Sequence, residues 1–256
     1  MTFKRLTIFI SFILFVLYAG LVLSLFYFWK GSLFVETLFS ERTLFSIKIS
    51  LLAGTIATFL SLIIALPSAY ALSRFEFKGK DIIDTMLELP MVVSPAALGA
   101  MLLIFFNNPL GSFIQNYVQF VFTFNGIVLA QFITTVGIAT RLVKAVMDEI
   151  PLRYEEVARS LGVTPFKAFL TVTFPLCKKG LIAATILTWA KAIGEFGATI
   201  TIAGSMAMRT ETLPIAIFMR LSTADIEGTV VLIFILFAIG FSALYLVRYL
   251  TKKSAI

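Results

Sequence analysis

The chain has no histidine and a single cysteine in 256 residues. Imidazole and thiolate are the usual ligands of transition metals, so a metal site has almost nothing to be built from, and a disulfide framework is excluded. Charge is also scarce: Asp, Glu, Lys and Arg make up 14% of the residues, against 59% hydrophobic. No Gly-x-x-x-x-Gly-Lys-Ser/Thr run is present, so the chain has no glycine-rich cradle for nucleotide phosphates. A Gly-x-Ser-x-Gly run is missing as well, and without histidine little remains for hydrolytic or redox catalysis. The chain is therefore read as not an enzyme, with no catalytic residue and no cofactor of its own. Cys177 is most simply a small buried or interfacial residue.

What the chain has in quantity is long apolar sequence. Its mean hydropathy of +1.00 is far above that of a soluble domain. About 20 apolar residues cross the hydrocarbon as a helix. Six stretches qualify, at about 6–29, 44–73, 87–106, 120–143, 180–204 and 228–249. They are continuously apolar instead of alternating, which predicts helices and not a barrel. The first follows Lys4 and Arg5 but exceeds the length of a signal-peptide core, so it is read as a retained span. Residues 1–256 are read as one membrane domain, with no low-complexity tract. Pro67, Pro90 and Pro95 fall in or beside the second and third spans, where each removes a helical donor and suggests a kink. Asn107–Gln119 carries turn residues and reads as a short re-entrant or surface loop.

Orientation follows from basic residues. With the amino terminus inside, fifteen of the 21 Lys and Arg fall on inner segments and five on outer ones, which puts both termini and the 144–179 insertion in the cytoplasm. A basic inner surface beside anionic lipid accounts for most of the +7 net charge, so no nucleic-acid partner is required.

The 144–179 insertion is polar and patterned. Tyr154, Val157, Ala158 and Leu161 recur at i, i+3, i+4 and i+7, one face of a helix, while charges fill the other. Pro151 suits the first turn of that helix, and Gly162 suits the left-handed residue that ends it. Thr164 and Pro165 repeat the start signal, Phe166, Phe169, Leu170 and Thr173 form a second stripe, and Pro175 marks the exit. The hairpin can dock an apolar stripe on a partner, or it can lie on anionic headgroups.

A second signal lies in the fifth span, where Lys191 and Glu195 are four residues apart and hence on one helical face. Ionisable groups at membrane depth pair or face water. The two can form a structural or gating ion pair, or Lys191 can attract an anion while Glu195 limits how tightly it is held. Thr199, Thr201 and Ser205 can offer hydroxyls to a passing solute or bond back to their own helix. Gly194, Gly197 and Gly204 allow helices to approach closely.

Glu156-Val-Ala158, three residues, Gly162, nine residues and then Val172-Thr-Phe174-Pro175 resembles the EAA loop of ABC-importer permeases, with Val157, Val172 and Phe174 as mild departures. The resemblance implies an all-α integral membrane fold with six transmembrane helices and cytoplasmic coupling helices. It also implies a docking core of Glu156, Ala158 and Gly162, with Leu161, Pro165 and Phe166 as neighbours. The stretch Trp189-Ala-Lys-Ala-Ile-Gly-Glu-Phe-Gly-Ala198, together with Leu87–Pro95 and Asn108-Pro-Leu-Gly111, is similar to the molybdate, tungstate and sulfate branch, most closely to molybdate members. Lys191, Glu195, Thr199 and Thr201 are the candidates for the pathway or gate on the chemistry given above. The partners implied are a second copy of the chain, a cytoplasmic ATPase dimer that holds ATP and magnesium, an extracytoplasmic oxyanion-binding protein and the lipid of a prokaryotic cytoplasmic membrane. A gradient-driven secondary transporter is the alternative class, and it calls for paired broken helices and a relay of buried acids.

Overall fold

The structure, a computed structural model, describes residues 3–252, and all the regular elements among them are helical. In chain order they are α1 (Phe3–Leu25), a single 3-10 turn at Phe26–Phe28, α2 (Gly31–Leu38), α3 (Glu41–Arg74), α4 (Lys80–Met86), α5 (Leu89–Val92), α6 (Pro95–Phe106) and α7 (Pro109–Gln115). Then follow α8 (Phe124–Asp148), α9 (Arg153–Ser160), α10 (Pro165–Ala168), a π-helical turn at Phe169–Thr173, α11 (Phe174–Ile193), α12 (Gly197–Ala203), α13 (Leu213–Ser222) and α14 (Ile226–Lys252). Several starts are set locally by a side-chain oxygen that takes an otherwise unpaired helix N–H, with proline placed where no donor is needed. Ser94 accepts from Ala97 ahead of Pro95, Asn108 from Gly111 around Pro109, and Thr164 from Lys167 around Pro165.

Five helical segments are long and apolar enough to cross a membrane, and six if the bent pair Lys80–Val92 and Pro95–Phe106 counts as one. The centre is the pairing of α3 with α8. Along α3, Ala53, Ala57, Ser61, Ala65 and Ala69 recur every fourth residue and are fully buried. A stripe of such small side chains lets two helix backbones approach, which is how packing is gained where lipid is as apolar as the protein. The Ser61 and Thr135 hydroxyls share a hydrogen bond of 3.0 Å across this seam. One apolar core, with Ile49, Phe106, Ile127 and Ile202, joins α3, α6, α8 and α12. Another, with Val143, Met147, Cys177 and Leu181, joins α3, α8 and α11 at the hairpin end. Cys177 is buried there as expected, 1% exposed. At the opposite end, Arg42 forms a two-pronged pair with Glu211, 2.7 and 2.6 Å.

Four expectations are corrected. The third stretch, 87–106, is not one helix: the chain turns by 110° between α5 and α6, where Val93 and Ser94 are extended ahead of Pro95, whereas Pro67 leaves α3 unbroken. The fifth stretch, 180–204, is interrupted after Ile193, and α12 starts afresh at Gly197. Pro175 does not end the second hairpin helix; the preceding turn widens into the π form and the chain runs directly into α11. Asn107–Gln119 is not purely a loop, because it holds α7, whose Gln115 side chain donates to Phe106 O and accepts from Val121 N.

Candidate functional site

The hairpin is built by α9, the reversal at Gly162 and α10. Gly162 has φ +86°, the left-handed conformation anticipated for it, and its N–H bonds to Arg159 O while Val163 N–H reaches Ala158 O. Nothing lies near the place a Cβ would occupy, so glycine is required here by backbone conformation and not by space. Helix α9 starts at Arg153, slightly later than expected; Pro151 stands before it and its carbonyl accepts from Tyr154 N–H.

The apolar stripe of α9 points outward: Leu161 is 79% exposed, and Tyr154 and Val157 are exposed too, as is Phe166 on α10. Ala158 is half-buried, and Glu156 and Pro165 are exposed. Arg153, Arg159 and Lys167 share this hairpin, so an uncovered apolar face sits on a basic segment. The charged face buries Glu155, 3% exposed, the single buried residue of α9. Its carboxylate accepts from Tyr70 Oη at 2.8 Å, Arg74 Nε at 2.9 Å and Thr173 Oγ1. Sequence reasoning passed over Glu155 because its partners lie 85, 81 and 18 residues away.

The break in the fifth stretch forms the second candidate site. Lys191 and Glu195 do meet, with Nζ 3.2 Å from Oε2, and their exposures are unequal: the lysine side chain is 43% exposed and the carboxylate 1%. The other carboxylate oxygen, Oε1, accepts from Ala198 N–H at 3.1 Å and so caps the start of α12. Glu195 is thus both an ion-pair partner and the anchor of a broken helix. Thr201 bonds back to Gly197 O at 2.7 Å, while Thr199 is fully buried and its hydroxyl has no partner. Gly197 and Gly99 permit the close crossing of α12 and α6: a Cβ on Gly99 would lie 2.8 Å from the Ala198 backbone. Gly194 simply closes α11, and Gly204 takes φ +72° at the exit of α12.

No cluster of His, Cys, Asp and Glu able to hold a metal occurs among the described residues. The arrangement contains the parts of a moving membrane device: a packed helical seam, a span broken around a half-exposed cation, and a protruding hairpin with an uncovered apolar face. Solved importer permeases have the same fold. The chain superposes on a bacterial ABC transporter involved in the import of the acidic polysaccharide alginate with TM-score 0.78, 15% identity, and 99% and 96% of the two chains covered. For the MetNI methionine ABC transporter the figures are 0.59, 18%, 82% and 99%.

Sequence comparison then gives the family. Residues 57–255 match the family of binding-protein-dependent transport system inner membrane components, and the chain belongs to it. Its relatives include the molybdenum transport system permease protein ModB of Haemophilus influenzae, 31% identical over 214 residues, covering 81% of this chain and 93% of that one. The sulfate transport system permease protein CysT of Salmonella typhimurium is 31% identical over 209 residues, with 80% and 76% covered. A probable transport system permease protein NifC of Clostridium pasteurianum is 30% identical over 222 residues, with 85% and 77% covered. The chain is an ABC-importer permease subunit, a multi-pass inner-membrane protein that is not itself catalytic; ATP hydrolysis belongs to a separate ATPase.

Proposed function

We propose that two copies of this chain form the membrane path of an ATP-driven importer for a tetrahedral oxyanion, molybdate first, tungstate next, and sulfate or thiosulfate after them. The observation that carries this reading is the hairpin, whose apolar stripe faces outward on a charged segment and is covered by none of the described residues. A cytoplasmic ATPase dimer is the partner that fits it, with Ala158, Leu161, Gly162 and Phe166 at the contact and Glu156 and Pro165 beside them. Approach of the two ATPases on binding ATP and magnesium draws the hairpins together and opens the path outward, where a binding protein delivers the anion; hydrolysis reverses the motion. Lys191 supplies positive charge beside the broken helix, and Glu195 keeps that charge from becoming a trap. The substrate class is supported by relatives named for molybdenum and for sulfate, since molybdate and sulfate are both tetrahedral dianions.

The test is uptake by vesicles containing the chain together with its cognate ATPase and binding protein. Molybdate accumulation that requires ATP, and that tungstate suppresses at lower concentration than sulfate, is the expected result. Uptake that persists without the ATPase would sink the importer reading. Sulfate as the stronger competitor would overturn the substrate order.

A further inference from the structure

A hairpin pushed from outside can move the spans by two kinds of connection, one along the chain and one through side chains. Along the chain, residues 149–152 join it to α8, and Phe169–Thr173 join α10 to α11. The Phe169–Thr173 segment is π-helical, a wider turn than the α-helix it leads into. The side-chain connection is the Glu155 carboxylate. It is held by Tyr70 and Arg74 of α3 and by Thr173, the last residue of the π turn. Arg74 in turn donates from Nη2 to the carbonyls of Met147 and Ile150, both at 3.0 Å, which brings the end of α8 into the same knot. The Tyr70 ring packs edge-on against Phe169, 4.8 Å between centroids. One buried acid therefore ties the hairpin to both helices of the central seam. Its charge is matched by a guanidinium that is itself 5% exposed, and charge-assisted bonds of this kind hold geometry more tightly than apolar contact does.

We infer that Glu155 is the joint through which displacement of the hairpin reaches α3 and α8, a positioning residue for transport and not part of the ATPase-docking face. This rests on the importer reading above. It predicts that loosening the joint separates ATP hydrolysis from movement of the anion: the hairpin still docks through its outward face, but less of its motion reaches α3 and α8.

The experiment uses the full complex in vesicles with molybdate as the probe, and measures anion moved per ATP hydrolysed for the wild type, Glu155→Gln, Tyr70→Phe and Thr173→Val. Loss of one charge-assisted bond network should lower the ratio about 10-fold in Glu155→Gln, and ~2- to 5-fold in each milder variant, with ATP hydrolysis kept within about twofold. Because the residues act as one unit, Tyr70→Phe added to Glu155→Gln should lower the ratio no further. An unchanged ratio in Glu155→Gln overturns the joint, and so does a parallel fall in hydrolysis and transport, which marks a merely structural role. Should Glu155→Gln fail to assemble, unchanged ratios in Tyr70→Phe and Thr173→Val overturn it equally. A wild-type complex that moves sulfate but not molybdate with ATP overturns the substrate order, and the same ratio is then read with sulfate. Uptake that needs no ATP overturns the importer reading and this inference with it. A coupled wild type with coupled variants removes the inference alone.

Discussion

Glu195 serves two donors at once, and substitutions can separate them. Alanine removes both the Lys191 pair and the acceptor for the buried Ala198 N–H, and an unmatched buried donor costs about 1–3 kcal/mol. Glutamine keeps an oxygen for that N–H and loses only the charge, which faces a lysine side chain that is 43% exposed. Glu195→Ala should therefore lower the thermal midpoint of the purified protein clearly while Glu195→Gln leaves it near wild type; equal losses would mean that the ion pair, not the cap, holds α12. Lys191→Met tests the opposite end of the pair. If the ammonium attracts the anion, the molybdate concentration for half-maximal uptake rises with the thermal midpoint unchanged. A lowered midpoint with normal half-saturation would make the lysine structural. The spacing of four residues was enough to anticipate that these two side chains meet. The cap was not legible, because nothing local says that a helix continuous in hydropathy restarts at Gly197; that follows from the close crossing of α12 with α6.

The hairpin was the most legible element, since caps and terminators act within a few residues of one another. Thr164, Pro165 and Gly162 do what their types and places imply. What the pattern could not give was which charged residue turns inward, because the partners of Glu155 are distant in the chain. In this molecule the stripe is kept outward and a single acid faces the bundle. Likewise Pro175 reads as a stop from its missing donor, yet a π turn absorbs it and the helix continues. The four-residue ladder of small side chains on α3 was present in the sequence and is the signal that would have marked the central seam. At Gly162 the open surroundings make a substitution purely a test of backbone conformation. Valine in the left-handed region costs about 1–2 kcal/mol or more, while asparagine tolerates it. Gly162→Val should reach the membrane in normal amount and lose ATP-driven uptake about 10-fold, and Gly162→Asn should keep most of it. Full uptake by the valine variant would show that the reversal need not be held for docking.

The whole chain leaves one element without a place of its own. Helix α1 buries none of its residues against the rest of the protein; only the 3-10 turn that follows is tied in, by Phe26 and Trp29 against Phe234 of α14. Between α3, α11 and α14 lies an uncovered apolar groove of about 750 Å³, with Leu51, Phe59, Trp189 and Leu246 among its walls. On the two-copy assembly proposed above, α1 of each copy is expected to lie in the groove of the other, so that both apolar surfaces are covered. The chain is well suited to the test, since its one cysteine, Cys177, is buried. Leu14→Cys on α1 and Phe59→Cys in the groove, placed in separate copies and expressed together, should give a dimer-sized band with a short bifunctional thiol reagent, and neither variant alone should give as much. If the two copies purify together and no mixed cross-link forms from any depth along α1, the helix lies in lipid and the copies meet through other spans. In that event the exposed edge of α6, with Met101 and Ile104, is the next surface to examine for the contact.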